Sequence, residues 1–319
     1  MKRRPKISLF IPIYNKEKYI LRCIRNLQNQ TLKNIEIIAI NDHSSDKSLN
    51  ILIELAKNDK RIRIVNNDKN RGLLYSRAMG ILSSSGEYLW NIDPDDELES
   101  NNALKFLYKK AKITKADIIS FNIRRKDFNQ IVKCRYINEV IKQPKLFNSI
   151  FNNDNKMIDF FIWNKLIKKE LFMKAYKFFE KYIYMWKWNF HEDLVWSILV
   201  NKFAKSKMCL DKLVYIYNNN NDSLMNNQNN RIQFQNIIYL HEMYKKIFSS
   251  KKDEKYLFAE YFKLINIINL KMGYLLLIND DKLKKYFIMT FQYLIDNYNC
   301  TIEQKNYIKN ITNLIKEKK

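Results

Sequence analysis

Residues Trp90 to Leu98 read "WNIDPDDEL", so three aspartates, Asp93, Asp95 and Asp96, surround Pro94 directly after an apolar run. Carboxylates this close repel one another, and the cluster needs an offsetting partner. A plain alternative is an Asp-Pro-Asp-Asp turn that caps a helix over 99–112, since Asp favours turns and N-caps. Three more polar stretches also follow apolar runs: "YNKE" (14–17), "NDHSSD" (41–46) and "NNDKNRG" (66–72). A second acidic pair, Glu192 and Asp193 in "HEDLVW", opens a helical pattern, where the helix dipole favours acids in the first turn.

The elements that must carry these residues follow from periodicity. Short runs rich in Ile and Val ("ISLFIPI", "IEIIAI", "IRIV", "EYLWNI", "DIISF") alternate with helical stretches ("YILRCIRNLQNQ", "KSLNILIELAKN", "LLYSRAMGILSS", "NALKFLYKKAK") over the first 121 residues. Strands separated by helices of this length form βαβ units and a mostly parallel sheet covered on both faces, an α/β fold. Ligands bind such sheets beyond the carboxyl ends of the strands, and all four polar stretches fall at those ends. Three of the four glycines, Gly72, Gly80 and Gly86, lie in the stretch leading into the acidic cluster, as positions needing positive φ or close approach would.

With 319 residues, 46% of them hydrophobic and 14% aromatic, the chain is globular and long enough for one large core plus an appendage. The formal net charge of +24 suits a polyanion or anionic surface. It equally suits a composition heavy in Lys, Asn, Ile and Tyr and sparing in Gly and Pro, as an A/T-rich genome produces. Cys23, Cys134, Cys209 and Cys300 are scattered, without zinc-binding or disulfide spacing, which fits a reducing, cytoplasmic setting. The N-terminal "MKRRPKISLFIPIYN" reads as a first strand broken by Pro12 and not as a secretion signal. No apolar run reaches about 18 residues, so no transmembrane helix is expected.

Beyond Asn122 the pattern loosens, then resumes in "FFIWNKLIKKELF" (160–172), "HEDLVWSILVNKFA" (191–204) and "SKMCLDKLVYIY", which reads as a closing pair of short strands. Residues 218–230 form an Asn-rich linker between a catalytic domain over 1–217 and a helical region over 231–319. Lysines recur in that last region; it could lie on an anionic membrane or bury its apolar stripe against the catalytic domain or a second subunit.

Taken together, "ISLFIPIYNKEKYILRCI", "INDHSSDKS", "NRGLLYSRAMG", "NIDPDDEL", "WNKLIKKEL" and "HEDLVW" resemble, in order and spacing, the motifs of the family 2 glycosyltransferases of the kind that build bacterial capsule and lipopolysaccharide glycans. The resemblance covers roughly 6–217 and implies the nucleotide-sugar-binding GT-A fold, a Rossmann-like α/β architecture. It also implies that the segment Pro12, Tyr14 and Asn15 wraps the nucleobase, with Asp42 accepting from a uracil N3–H. Asn70 and Arg77 match a family pattern whose Arg contacts the donor, although Ser76 and Ala78 depart from it. The D-x-D pattern of Asp93 and Asp95 implies Mn²⁺ or Mg²⁺, not a lysine, as the partner of the acidic cluster, with Asp96 a third candidate ligand. Asp95 is then the direct ligand, and Asp93 stands nearer the ribose.

Transfer with inversion needs one general base on the acceptor side, and the resemblance assigns it to Asp193, with Glu192 the second choice. Trp163 is either an acceptor platform or core. The resemblance therefore implies transfer of a single sugar from a nucleotide donor, UDP-linked, to a glycan or lipid-linked glycan. Two other classes fit the sequence less well. A nucleotidyltransferase wants a Gly-rich loop after the first strand, which "IPIYNKEK" lacks. A nucleic-acid binder wants basic residues gathered on one face, whereas lysines here run along the whole chain. No nucleic-acid partner is expected. The absence of Q-x-x-R-W disfavours a processive synthase.

Overall fold

The structure is a computed structural model that describes residues 4–134, 136–143, 145–146, 161–185 and 192–220, with isolated positions 292, 306, 309, 310, 312, 313 and 316. The chain divides into two compact units, 1–227 and 228–319. The expected helical region over 231–319 apart from those isolated positions, residues 221–230 of the Asn-rich linker and His191 lie outside the described residues.

Strand β1 (Ile7–Ile13) is buried throughout, because both faces of a parallel sheet are covered and every side chain must be compatible with the interior. Helix α1 (Ile20–Gln28) leads to β2 (Ile35–Asn41), and α2 (Ser48–Asn58) leads to β3 (Ile62–Asn66). Helix α3 (Leu73–Ser83) then crosses back to β4 (Tyr88–Asn91) on the other side of β1, giving the parallel order β3-β2-β1-β4. The connection reverses direction between β1 and β4. This is the switch point of an α/β sheet, where a crevice opens beyond the carboxyl ends of the strands. Residues 14–17 and 93–97 flank that crevice.

The sheet continues as a mixed one. After β5 (Glu97–Leu98), α4 (Ala103–Thr114) leads to β6 (Ile118–Arg125), β7 (Gln130–Val132) and β8 (Val140–Lys142). Strand β9 (Lys165–Lys168) inserts antiparallel between β4 and β6, and is followed by α5 (Lys169–Met185) and α6 (Glu192–Phe203). The last strand, β10 (Ser206–Tyr217), pairs parallel with β6 and antiparallel with β5 and β8. Where a closing pair of short strands was expected there is one twelve-residue strand. Its register against β6 slips between Leu210 and Leu213 and again before Tyr215. Such irregularities bend a strand without ending it.

Helices α1 and α2 pack together, while α3, α5 and α6 pack against one another. Crossovers of one hand that run in opposite directions along a sheet place these two groups on opposite faces. Glycine permits the tight layer on the α3 side: a Cβ on Gly80 would fall 2.6 Å from the Phe10 ring. Trp90, Phe121 and Tyr215 fill the interior of the second half of the sheet, and the buried Trp90 indole N–H donates to the Trp163 carbonyl at 2.6 Å. Among the described residues no helix is long and apolar enough to cross a membrane.

Candidate active site

The loops beyond β1 and β2 are laced together. Asn15 adopts φ 52°, a left-handed conformation that Asn tolerates, and its side-chain oxygen accepts the Ser45 N–H at 2.9 Å. In return the Asn15 N–H donates to Ser44 Oγ at 3.1 Å, and the Glu17 N–H to Asp46 Oδ2 at 2.9 Å. Asp46 also accepts the Ser48 N–H at the start of α2. Pro12 is buried in β1, whereas the neighbouring Tyr14 is 47% exposed at the mouth of the crevice.

Asp42 is buried and ties β2 to the entrance of α3. Its Oδ1 accepts from Asn67 Nδ2 at 2.7 Å and from the Arg71 N–H at 2.8 Å, and its Oδ2 accepts the Gly72 N–H at 2.8 Å. Gly72 has φ 91°, a conformation that favours glycine. In the same turn the Asn70 side-chain oxygen is buried with no hydrogen-bond partner among the described residues.

Arg77 lies at the centre. Only 3% exposed, it donates through Nη1 to Glu192 Oε1 at 2.5 Å and through Nη2 to Asp93 Oδ1 at 3.2 Å. Burial alone lowers its pKa, and the facing Glu192, Asp93 and Asp193 outweigh that and raise it. Its Nε is buried without a hydrogen-bond partner among the described residues. Asp93 Oδ1 also accepts from Asn91 Nδ2 at 3.0 Å, and the Asp93 N–H donates to the Tyr215 hydroxyl at 3.2 Å.

The acidic turn itself is not a helix cap. Helix α4 starts at Ala103, after β5, and its N-cap, Asn102, makes no side-chain capping bond. Asp95 instead pairs with Lys16, whose ammonium lies 2.8 Å from Oδ2. The expectation that no lysine offsets the cluster is therefore corrected, because the β1–α1 loop brings a flexible cation across the crevice. The Asp95 carbonyl accepts from Arg22 Nη2 at 2.8 Å and Asn218 Nδ2 at 2.9 Å.

Asp96 turns inward. It is 1% exposed, accepts the Asn218 N–H at 2.8 Å, and burial followed by Asp95 and Asp93 pushes its carboxyl well above the usual range. A carboxyl so placed is a poor candidate ligand, and the three aspartates do not converge. Among the described residues no group of three His, Cys, Asp or Glu side chains forms a metal site. Asp93 and Asp95 nevertheless suit a hard divalent cation. Each engages one carboxylate oxygen and, among the described residues, leaves the other without a hydrogen bond, and Mg²⁺-type ions commonly take one or two carboxylates with the rest of the shell from phosphates and water.

At the other side of Arg77, α6 begins with Glu192 and Asp193. Burial raises Glu192 to about 7, opposed by Arg77 and reinforced by Asp193. Asp193 is half-buried; burial raises its pKa, Arg77 opposes the shift, and its Oδ1 accepts the Leu194 N–H at 2.8 Å. Sequence reasoning missed Lys16, Asn91 and Asn218. Lys16 lies inside a quoted motif and Asn91 directly precedes the acidic turn, but Asn218 sits at the edge of a run of four asparagines with no local signal. Trp163 belongs to the core: it is 5% exposed and stacks with Phe161, Tyr215 and Tyr217 at centroid distances of 4.6, 5.1 and 5.6 Å.

The model of the Glycosyl transferase family 2 matches residues 8–175, more than half of the chain, from within β1 past the end of β9. The chain belongs to glycosyl transferase family 2. An uncharacterized family relative, the glycosyltransferase EpsJ of Bacillus subtilis, is 30% identical over 223 residues, which cover 69% of this chain and 63% of EpsJ. This family 2 chain spans less than two thirds of the length of the curated relatives it matches. Its fold is that of S. aureus TarS 1–349 in complex with UDP-GlcNAc, with TM-score 0.71, 16% identity, and 98% and 92% of the two chains covered. It also shares the fold of the mannosyltransferase PcManGT from Pyrobaculum calidifontis, in complex with GDP-Man and Mn²⁺, with TM-score 0.52, 12% identity, and 98% and 86% covered. The GT-A expectation for the fold holds.

Proposed function

We propose that this chain transfers a single sugar, with inversion, from a UDP-linked donor to a glycan or lipid-linked glycan acceptor, as in the assembly of cell-surface polysaccharide. The observation that carries this reading is the pair of ion contacts through which Arg77 joins Asp93, on the donor side of the crevice, to the acids that open α6. The unpartnered oxygen of Asn70 and the unpartnered Nε of Arg77 supply hydrogen-bonding capacity for a donor in the same crevice. TarS, whose fold this chain shares, is bound to UDP-GlcNAc, which supports a UDP donor.

The donor's nucleoside lies over the segment Pro12, Tyr14 and Asn15, with Asp42 holding the turn at Asn70 beneath it. Asp93 and Asp95 would hold Mn²⁺ or Mg²⁺, and that cation would supply neutralisation of the charge on a departing diphosphate. Asp193 takes the proton of the acceptor hydroxyl. The oxygen forms its bond to the anomeric carbon from the face opposite the diphosphate, and the breaking C–O bond leaves its electron pair on the nucleotide. Arg77 keeps Glu192 against the protein, so that Asp193 is the acid available to the acceptor. The raised pKa of Asp193 suits a base better than that of an ordinary solvated aspartate. The site works in the cytoplasm, at the inner face of a membrane where lipid-linked acceptors gather. Oligomers through 231–319 belong to the same reading.

Incubation of the purified chain with a panel of nucleotide sugars and Mn²⁺, without acceptor, tests the donor. Slow release of UDP supports the proposal. No release of UDP from any donor, with pyrophosphate released when a nucleoside triphosphate and a sugar 1-phosphate are supplied instead, would mark a nucleotidyltransferase.

A further inference from the structure

We infer that Lys16 competes with the divalent cation for Asp95 and, once displaced, engages the diphosphate of the donor. This rests on the metal and donor reading above. The Lys16 backbone is fixed: its N–H donates to Ser48 Oγ at 2.8 Å, and its carbonyl accepts the N–H groups of Tyr19 and Ile20, each at 3.0 Å. Motion is left to the side chain, a compact cation on a flexible four-carbon stem.

Both partners of the Lys16–Asp95 pair keep contact with water, with side chains 17% and 15% exposed, so water can solvate the ammonium as the pair opens. Arg77 differs: a rigid fork, 3% exposed and held by two carboxylates, it cannot leave. The acidic turn does not depend on Lys16 for its shape either, because Arg22 and Asn218 already hold the Asp95 carbonyl. Lys16 therefore acts on the charge of Asp95 and not on its position. A hard cation arriving at the other oxygen of Asp95 meets a like charge on the same carboxylate, so each cation weakens the hold of the other. The Tyr19 ring, its centroid 5.5 Å from Nζ, offers a cation–π contact during the exchange. A donor diphosphate brought to that cation supplies the acceptor oxygens an ammonium seeks.

The two roles have opposite signs, which makes them separable. Calorimetric titration of the full chain with Mn²⁺ alone should show Lys16→Gln binding the ion about three- to tenfold tighter than wild type. With Mn²⁺ saturating, the same variant should bind UDP several-fold more weakly. Lys16→Arg should follow wild type in both titrations, and Lys16→Met repeats the test should the Gln protein fold poorly by circular dichroism. Mn²⁺ affinity unchanged or weakened in Lys16→Gln and Lys16→Met would make Lys16 a structural tether and overturn the competition. Tighter Mn²⁺ with unaltered UDP affinity would overturn the engagement of the diphosphate. A wild type that takes up no Mn²⁺, with or without UDP, removes the metal reading itself and this inference with it.

Discussion

Arg77 on α3 and Glu192 at the start of α6 are 115 positions apart in the chain, yet Nη1 and Oε1 meet at 2.5 Å with both side chains almost wholly buried. An ion pair this deep is costly to break from one side, since the remaining charge has neither water nor partner. Arg77→Met should destabilise the chain by about 3–5 kcal/mol in denaturant unfolding. Pairing it with Glu192→Leu should recover much of that loss. A single mutant as stable as wild type would show that the pair does not bind α3 to α6.

Removing a ligand charge from the acidic turn should separate folding from turnover. Asp95→Asn should unfold within about 1 kcal/mol of wild type, because the Asp95 carbonyl keeps both of its donors. Its transfer rate should drop by orders of magnitude, and wild-type activity should vanish in EDTA and return with Mn²⁺. A chelated wild type that keeps its full rate refutes the metal at Asp93 and Asp95.

For the base, Asp193→Asn should lower transfer by about 10²–10⁴-fold while UDP affinity stays near wild type. Nuclear magnetic resonance of the first product formed should show an inverted anomeric centre. Retention, or an active Asp193→Asn, would end the single-base mechanism.

The pH profile carries a directional test. Burial raises the pKa of Asp193, so the acid limb of kcat/KM should lie above the ordinary carboxylate range. Glu192→Gln removes a neighbouring negative charge and leaves the Arg77 charge to Asp93 and Asp193, and both effects lower the pKa of Asp193. The acid limb should therefore move to lower pH. A limb that stays in place assigns the titration to another group.

Packing between α3 and β1 is open to a one-carbon test. Gly80→Ala would bring a methyl group to 2.6–2.8 Å from Phe10 atoms, and overpacking of this kind costs about 1–3 kcal/mol. Urea unfolding of the variant measures it, and an unchanged midpoint would mean that α3 can slide away from the sheet.

The parallel half of the sheet is legible in sequence because its strands are short, largely apolar segments bounded by polar loops; "ISLFIPI" coincides with β1 residue for residue. Legibility fades where strands shorten or irregularities intervene. Strand β9 is four residues inside a longer apolar stretch, and β10 keeps its direction through two register slips that resemble a turn. In the site, the acids stand out because they cluster directly after an apolar strand. Their partners do not. Lys16 is one lysine among many, and Asn218 acts through its position at the end of β10. Asp96 carries the same letter as Asp95, and only the burial of its side chain separates their roles.

Asn218 follows the last strand, donating its N–H to Asp96 and its side-chain amide to the Asp95 carbonyl. A boundary drawn at Tyr217, where the strand pattern stops, would sever both bonds and leave the acidic turn without its far wall. The smallest fragment that keeps the turn intact must therefore run at least one residue past the sheet. Dissection of the chain into parts would otherwise report a lost activity and blame it on the missing C-terminal region, when the loss was one asparagine.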